Sequence, residues 1–118
     1  MLDNNDVREV CLSFPGTFES YPFGPDTPVY KVSANNKVFA ITSADGELEP
    51  TVTVKSHPDD AEALRQQYSA ITPGYHMNKR HWISIRLDGT VSAELMAEIL
   101  QESYTLVRPR MPRQQQHG

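Results

Sequence analysis

The sequence predicts an α+β domain: a two-layer sandwich in which a mainly antiparallel sheet carries helices on one face. Three observations support this. Three stretches place apolar residues at helical spacing, and four short stretches are β-branched or alternate apolar with polar. Asn, Asp and Gly turn pairs, rather than long crossovers, separate the β-type stretches. The order helix, several strands, helix, strand, helix then fits two layers around one core.

Val7, Val10, Cys11 and Phe14 follow the i, i+3, i+4, i+7 spacing of a buried helical face, with Asp3 placed to cap the start and Pro15-Gly16 to stop the helix. Cys11 on this face reads as a small core residue, because a reactive thiol needs an open, electropositive setting. A Pro- and Gly-rich loop, Tyr21 to Pro28, follows. Val29–Val32, Val38–Thr42 and Thr51–Lys55 read as an antiparallel meander turned at Asn35-Asn36 and Asp45-Gly46. The middle segment, Val38 to Ile41, is apolar on both sides and is expected centrally, whereas Val52 and Val54 alternate with Thr51, Thr53 and Lys55.

The second helix begins at His57-Pro58, with Pro at the first helical position and Asp59 and Asp60 in the first turn. Ser56 or a neutral His57 imidazole can accept its capping bond, a structural task that accounts for His57 without catalysis. Ala61, Leu64 and Tyr68 form its buried stripe. In the fourth strand Ile83, Ile85 and Leu87 face one way and Trp82, Ser84 and Arg86 the other. After the Asp88-Gly89 turn, Ser92 caps a last helix that carries Leu95, Met96, Ile99 and Leu100 and ends before Pro109. Residues 1–107 are expected to form the domain and residues 108–118 a flexible basic, Gln-rich tail, because the tail has no apolar period.

Composition narrows the function classes. With 118 residues, 38% hydrophobic and 22% charged, the chain suits one globular domain. Its one cysteine excludes an internal disulfide and any multi-cysteine zinc site. The polar, acidic first ten residues do not resemble a signal peptide, and no apolar run reaches membrane-spanning length, so a cytoplasmic location with no membrane partner is expected. The net charge of −4 hides an asymmetry: residues 1–70 hold eleven acids and five bases, residues 71–118 four acids and six bases. A locally positive surface keeps a polyanion partner in play despite the acidic total.

No G-x-S-x-G elbow, phosphate-binding G-x-x-x-x-G-K-[ST] loop or G-x-G-x-x-G turn is present. His76 and His81 stand five apart in a loop-like segment, not at the three- or four-residue spacing of helical zinc ligands, so no metal or cofactor is expected. Two features carry functional chemistry. The helix-free face of the sheet would display Thr51, Thr53, Lys55, Trp82, Ser84 and Arg86, joined by Lys31; bases beside a tryptophan suit base stacking and phosphate contact. A solvated antiparallel sheet face has a similar composition, so this feature alone does not decide function. The second is Pro73-Gly-Tyr-His-Met-Asn-Lys-Arg-His-Trp82, where Tyr75, His76, Asn78, Lys79, Arg80, His81 and Trp82 mix aromatic, basic and amide groups as nucleic-acid contacts do. A loop tied down by its own side chains would look alike.

These segments resemble the MmcQ/YjbR-like family of small bacterial proteins. The matching pieces are Cys11-Leu-Ser-Phe-Pro-Gly-Thr17, Tyr21-Pro-Phe-Gly24, Val29-Tyr-Lys-Val32, Phe39-Ala40, the Pro73–Trp82 block, Leu87-Asp-Gly89 and Ser103-Tyr104. The resemblance implies a two-layer α+β fold like that of bacterial frataxin homologues and kinship with a double-wing DNA-binding domain of a phage transcription factor. It thus implies DNA binding by fold analogy, and no family-wide enzyme activity or cofactor. His57 departs from the aspartate that relatives commonly place before the proline. An iron-binding ridge of the frataxin kind is not expected, since the first helix offers only Asp3, Asp6 and Glu9. The resulting expectation is a non-enzymatic DNA-binding module of weak, sequence-independent affinity. The alternative is a small-ligand or protein-binding module that uses the open sheet face and the Tyr75–Trp82 loop.

Overall fold

The computed structural model describes residues 3–43, 50–74, 78 and 80–109. Three helices, α1 (Asn4–Ser13), α2 (Pro58–Gln67) and α3 (Ala93–Val107), accompany six strands. The strands are β1 (Thr17–Ser20), β2 (Val29–Val32), β3 (Lys37–Thr42), β4 (Thr51–Lys55), β5 (Ile71–Pro73) and β6 (Trp82–Arg86). They form one sheet in the order β1-β2-β3-β4-β6-β5, antiparallel at every step. The α+β architecture matches the expectation, with two additions: β1 and β5, the two edge strands, were not expected as strands.

Helix boundaries follow local chemistry. Asp3 Oδ1 accepts from the Asp6 N–H at 2.9 Å while Asp6 Oδ2 accepts from the Asp3 N–H at 3.0 Å, a reciprocal capping box. His57 Nδ1 accepts from the Asp59 N–H at 3.3 Å ahead of Pro58, and Ser92 Oγ accepts from the Leu95 N–H at 3.1 Å. Between β2 and β3, Asn36 takes a φ of 59°, the left-handed region asparagine tolerates, and Asn35 accepts from the Lys37 N–H. The Asp45-Gly46 turn lies outside the described residues.

All three helices share one core. Val7 and Cys11 of α1, Ala61 of α2, and Met96, Leu100 and Tyr104 of α3 cluster with Val52, Val54, Ile83 and Ile85. Burial lifts the Cys11 thiol pKa to about 12, in keeping with a packed, unreactive side chain. The register places Ala40, Val54 and Ile83 directly opposite one another on this inner face, with Thr42, Val52, Ile85 and Ile71 in the next row.

The central strand contains an irregularity that completes this core. The β2–β3 register shifts between Tyr30 and Lys31: Tyr30 pairs with Ala40, but Lys31 pairs with Val38. The extra residue is Phe39, which turns inward beside Ala40 and packs edge-on to Tyr104, 5.7 Å between ring centroids. This is why two consecutive residues of Val38–Ile41 are fully buried. The Phe39 carbonyl and the Lys55 N–H, which a regular ladder would occupy, are bridged by one side chain from α3. Ser103 Oγ donates to Phe39 O at 2.6 Å and accepts from Lys55 N at 2.9 Å. Ser103 is fully buried, and its hydroxyl satisfies a donor and an acceptor that would otherwise be stranded away from water.

Candidate functional site: the helix-free sheet face

Because strand side chains alternate, the partners of the core residues define the opposite face. Thr51 opposes Arg86, Thr53 opposes Ser84 and Lys55 opposes Trp82, so all six lie together on the face without helices. Lys31 joins them two strands away, opposite Phe18 of β1. The Thr53 and Ser84 hydroxyls bond each other at 2.8 Å, so the centre of this face is uncharged.

The loop from β5 to β6 is held at both ends. The Gly74 N–H donates to Trp82 O at 2.9 Å, and a Cβ added at Gly74 would lie 2.9 Å from the Trp82 Cβ, closer than real side chains come. Gly74 is therefore a close-approach residue that lets the hairpin close against Trp82. The Asn78 carbonyl accepts from the N–H groups of both His81 and Trp82, and its Oδ1 accepts from the Arg80 N–H at 3.0 Å. Asn78 thus works as a turn former. The His81 carbonyl accepts from the Ser56 N–H at 2.7 Å, tying this hairpin to the end of β4. Arg80 is exposed and His81 half-buried. Tyr75, His76 and Lys79 lie outside the described residues. Of the ten residues singled out from the sequence, the structure groups Lys31, Lys55, Trp82 and Arg86 on one face, puts Asn78, Arg80 and His81 at its border, and assigns Asn78 to the fold.

Charge is segregated between the layers. The three helices carry eight carboxylates and two cations, whereas the six strands carry four cations and one carboxylate. That carboxylate, Glu19, points to the helix side, where it accepts from Arg8 Nε at 3.0 Å, Tyr30 OH at 3.0 Å and Tyr21 OH at 2.9 Å. Burial and the Glu19 bond push the Tyr30 phenol well above its usual pKa, so it stays protonated as the donor. No strand position on the helix-free face carries an acid among the described residues. Lys31, Lys55 and Arg80 make no ion pair among those residues, and Arg86 has only a loose contact with Asp88 at 3.7 Å, both partners exposed. Lys55 stands where the layers meet: it also borders a groove of about 300 Å³ between α2 and α3, lined by Asp60, Glu98 and Glu102. Among the described residues no cluster of histidine, cysteine and carboxylate side chains is arranged to hold a metal ion, and no helix is long and apolar enough to cross a membrane.

Sequence patterning alone missed Phe18, which is 36% exposed on the edge strand. The profile of the YjbR family matches residues 12–106, from the end of α1 through nearly all of α3. The chain belongs to the YjbR family. It is 35% identical over 103 residues to the uncharacterised protein YbdF of Escherichia coli O157:H7, covering 86% of this chain and 80% of that one. To YjbR of Escherichia coli K12, also uncharacterised, it is 30% identical over 100 residues, covering 85% and 82%. Among solved structures it resembles a DUF419-domain protein of Deinococcus radiodurans, with a TM-score of 0.83 and 36% identity over 96% of this chain and 85% of that one. A Pseudomonas syringae protein aligns with a TM-score of 0.80 and 25% identity, covering 91% of this chain and all of that one. These likenesses extend across the sheet and the helices together.

Proposed function

We propose that this YjbR-family domain binds nucleic acid through the helix-free face of its sheet, weakly and without sequence preference. The observation that carries the reading is the charge segregation: among the described residues, Lys31 and Lys55, which make no ion pair, and Arg86 stand on a strand face without a carboxylate, while eight of the fifteen acids sit on the helices behind it. A net charge of −4 is compatible with a polyanion partner when the potential is divided in this way, because the cations act at short range and salt screens the far layer. Few side chains project from the face, so contacts go to phosphates rather than base edges, and sequence discrimination is small.

The test is a salt titration of labelled DNA by fluorescence anisotropy. With four cations (Lys31, Lys55, Arg80 and Arg86) available, the slope of log affinity against log salt on duplex DNA should be about −3 to −4. Lys31→Ala combined with Lys55→Ala should flatten it by about two. Absence of binding at low salt overturns the reading. So does binding that survives the double substitution but disappears when residues 109–118 are removed, since the basic tail would then be the only contact.

A further inference from the structure

The register of the sheet arranges this face more specifically than charge alone. Phe18 opposes Lys31, Lys31 opposes Val38 across the β3 bulge, and Lys55 opposes Trp82. Ile41 pairs with Thr53, so moving two residues along β4 to Lys55 reaches the same end of the sheet as Val38. One row therefore crosses five strands and reads Phe18, Lys31, Val38, Lys55, Trp82, an aromatic ring at each end and a lysine inside each ring. The next row, Ser20, Val29, Ile41, Thr53, Ser84 and Thr72, holds no charge at all.

We infer that this row is a track for single-stranded nucleic acid, with one base stacked on Phe18, another on Trp82, and the intervening phosphates held by Lys31 and Lys55. The inference rests on the nucleic-acid reading proposed above and names the form of the ligand. Four strand spacings separate the two rings, about 19 Å, which is on the order of four nucleotides and at the small end of single-strand sites. Both rings keep surface in water, Phe18 at 36% and Trp82 half-buried. The Trp82 carbonyl accepts from the Gly74 N–H and the Lys55 N–H donates to Ser103, so both side chains project from anchored backbone. Stacking on such rings requires unpaired bases; in a duplex the base faces are covered, and only the lysines would engage.

Trp82 is the chain's single tryptophan, so its fluorescence reports on this row directly. The experiment titrates the full chain with dT12, rU12 and a 12-base-pair DNA duplex at low salt, reading both Trp82 emission and anisotropy. Expected results are quenching by the single strands and tighter binding of them than of duplex by about tenfold or more. Phe18→Ala should weaken single-strand binding by about 5- to 100-fold with the salt slope unchanged, and Trp82→Phe should retain most of the affinity. Phe23→Ala, an aromatic 69% exposed but outside the strand register, should have little effect. Comparable dT12 and rU12 affinities fit a track that reads rings and phosphates; a large preference for one shows an additional contact to the sugar and leaves the row intact only if Phe18→Ala still weakens it. Equal binding of duplex and single strand, with Phe18→Ala neutral, overturns the track while the polyanion reading survives. If none of the three ligands binds, the polyanion reading falls and the track with it. Phe18 lies on an exposed edge strand, so its variant remains informative even if substitutions at Trp82 impair folding.

Discussion

The two faces of the sheet are built from the same strands and could hardly differ more. The inner face is almost entirely apolar, with Val52, Val54, Ile83 and Ile85 fully buried beneath three helices. The outer face interleaves hydroxyls, lysines, an arginine and two aromatic rings with the aliphatic Val29, Val38 and Ile41, and has no carboxylate at the described strand positions. Hydrophobic burial accounts for most of the first composition, the exceptions being Thr42 in the core and Glu19 on the edge strand. It does not account for the second: mixed-sign charges would keep a solvated face equally soluble, yet the described strand positions of this face carry no acid, and eight of the chain's fifteen acids sit on the helices. The difference separates the residues that hold the fold from those available for binding, and substitutions should sort accordingly.

The largest stability loss should come from Phe39→Ala. It removes the ring that packs against Phe14 and Tyr104 and leaves a cavity, which costs about 3–5 kcal/mol in urea denaturation. Ser103→Ala should follow, at about 1–3 kcal/mol, because the buried Phe39 carbonyl and Lys55 N–H lose their shared partner. A loss below half a kcal/mol would mean that the ladder closes without the hydroxyl.

Cys11 gives a pH-dependent test of the inner face. Its thiol is raised from 9.0 to about 12 in the folded state, so the unfolded chain releases the proton first. Stability is therefore unaffected below pH 9 and falls as pH rises from 9 towards 12, by up to about 1.4 kcal/mol per unit. Tyr30, also raised, adds to the decline above pH 10. Cys11→Ala should flatten the decline between pH 9 and 10, measured as the urea midpoint against pH; an unchanged slope would place that titration elsewhere. The smallest effect belongs to the outer face, where Lys31→Ala should change stability by less than about 0.5 kcal/mol while it lowers the salt slope of binding. A large stability loss at Lys31 would break the division between faces.

How far the sequence revealed this arrangement depended on where its periodicity was clean. In β4 and β6 strict alternation identified the outer face residue by residue, from Thr51 to Lys55 and from Trp82 to Arg86. In β1 the usual pattern is inverted: Phe18 points outward and Glu19 inward, where Arg8, Tyr21 and Tyr30 satisfy its carboxylate. A four-residue strand with its acid inside and its ring outside carries no hydrophobic signal, and one end of the row stayed hidden with it. β5 is three residues long and ends in proline, too short to show a period. The β3 bulge is equally illegible locally, because the hydroxyl that stabilises it lies 64 residues away.

That distance has a bearing on how the protein is made. A hairpin of β3 and β4 can form as soon as residue 55 has emerged, but its ladder then ends at Phe39 and Lys55 with one acceptor and one donor still relying on water. Only when Ser103 is delivered, 48 residues after Lys55, does that end of the hairpin exchange solvent for protein. Satisfying that end of the ladder therefore waits on docking of the last helix, a contact of long sequence separation reached late in synthesis. A nascent chain halted before α3 would carry all six strands with the Phe39 carbonyl and the Lys55 N–H still left to water, a seam where a chaperone or a misplaced strand would find an opening.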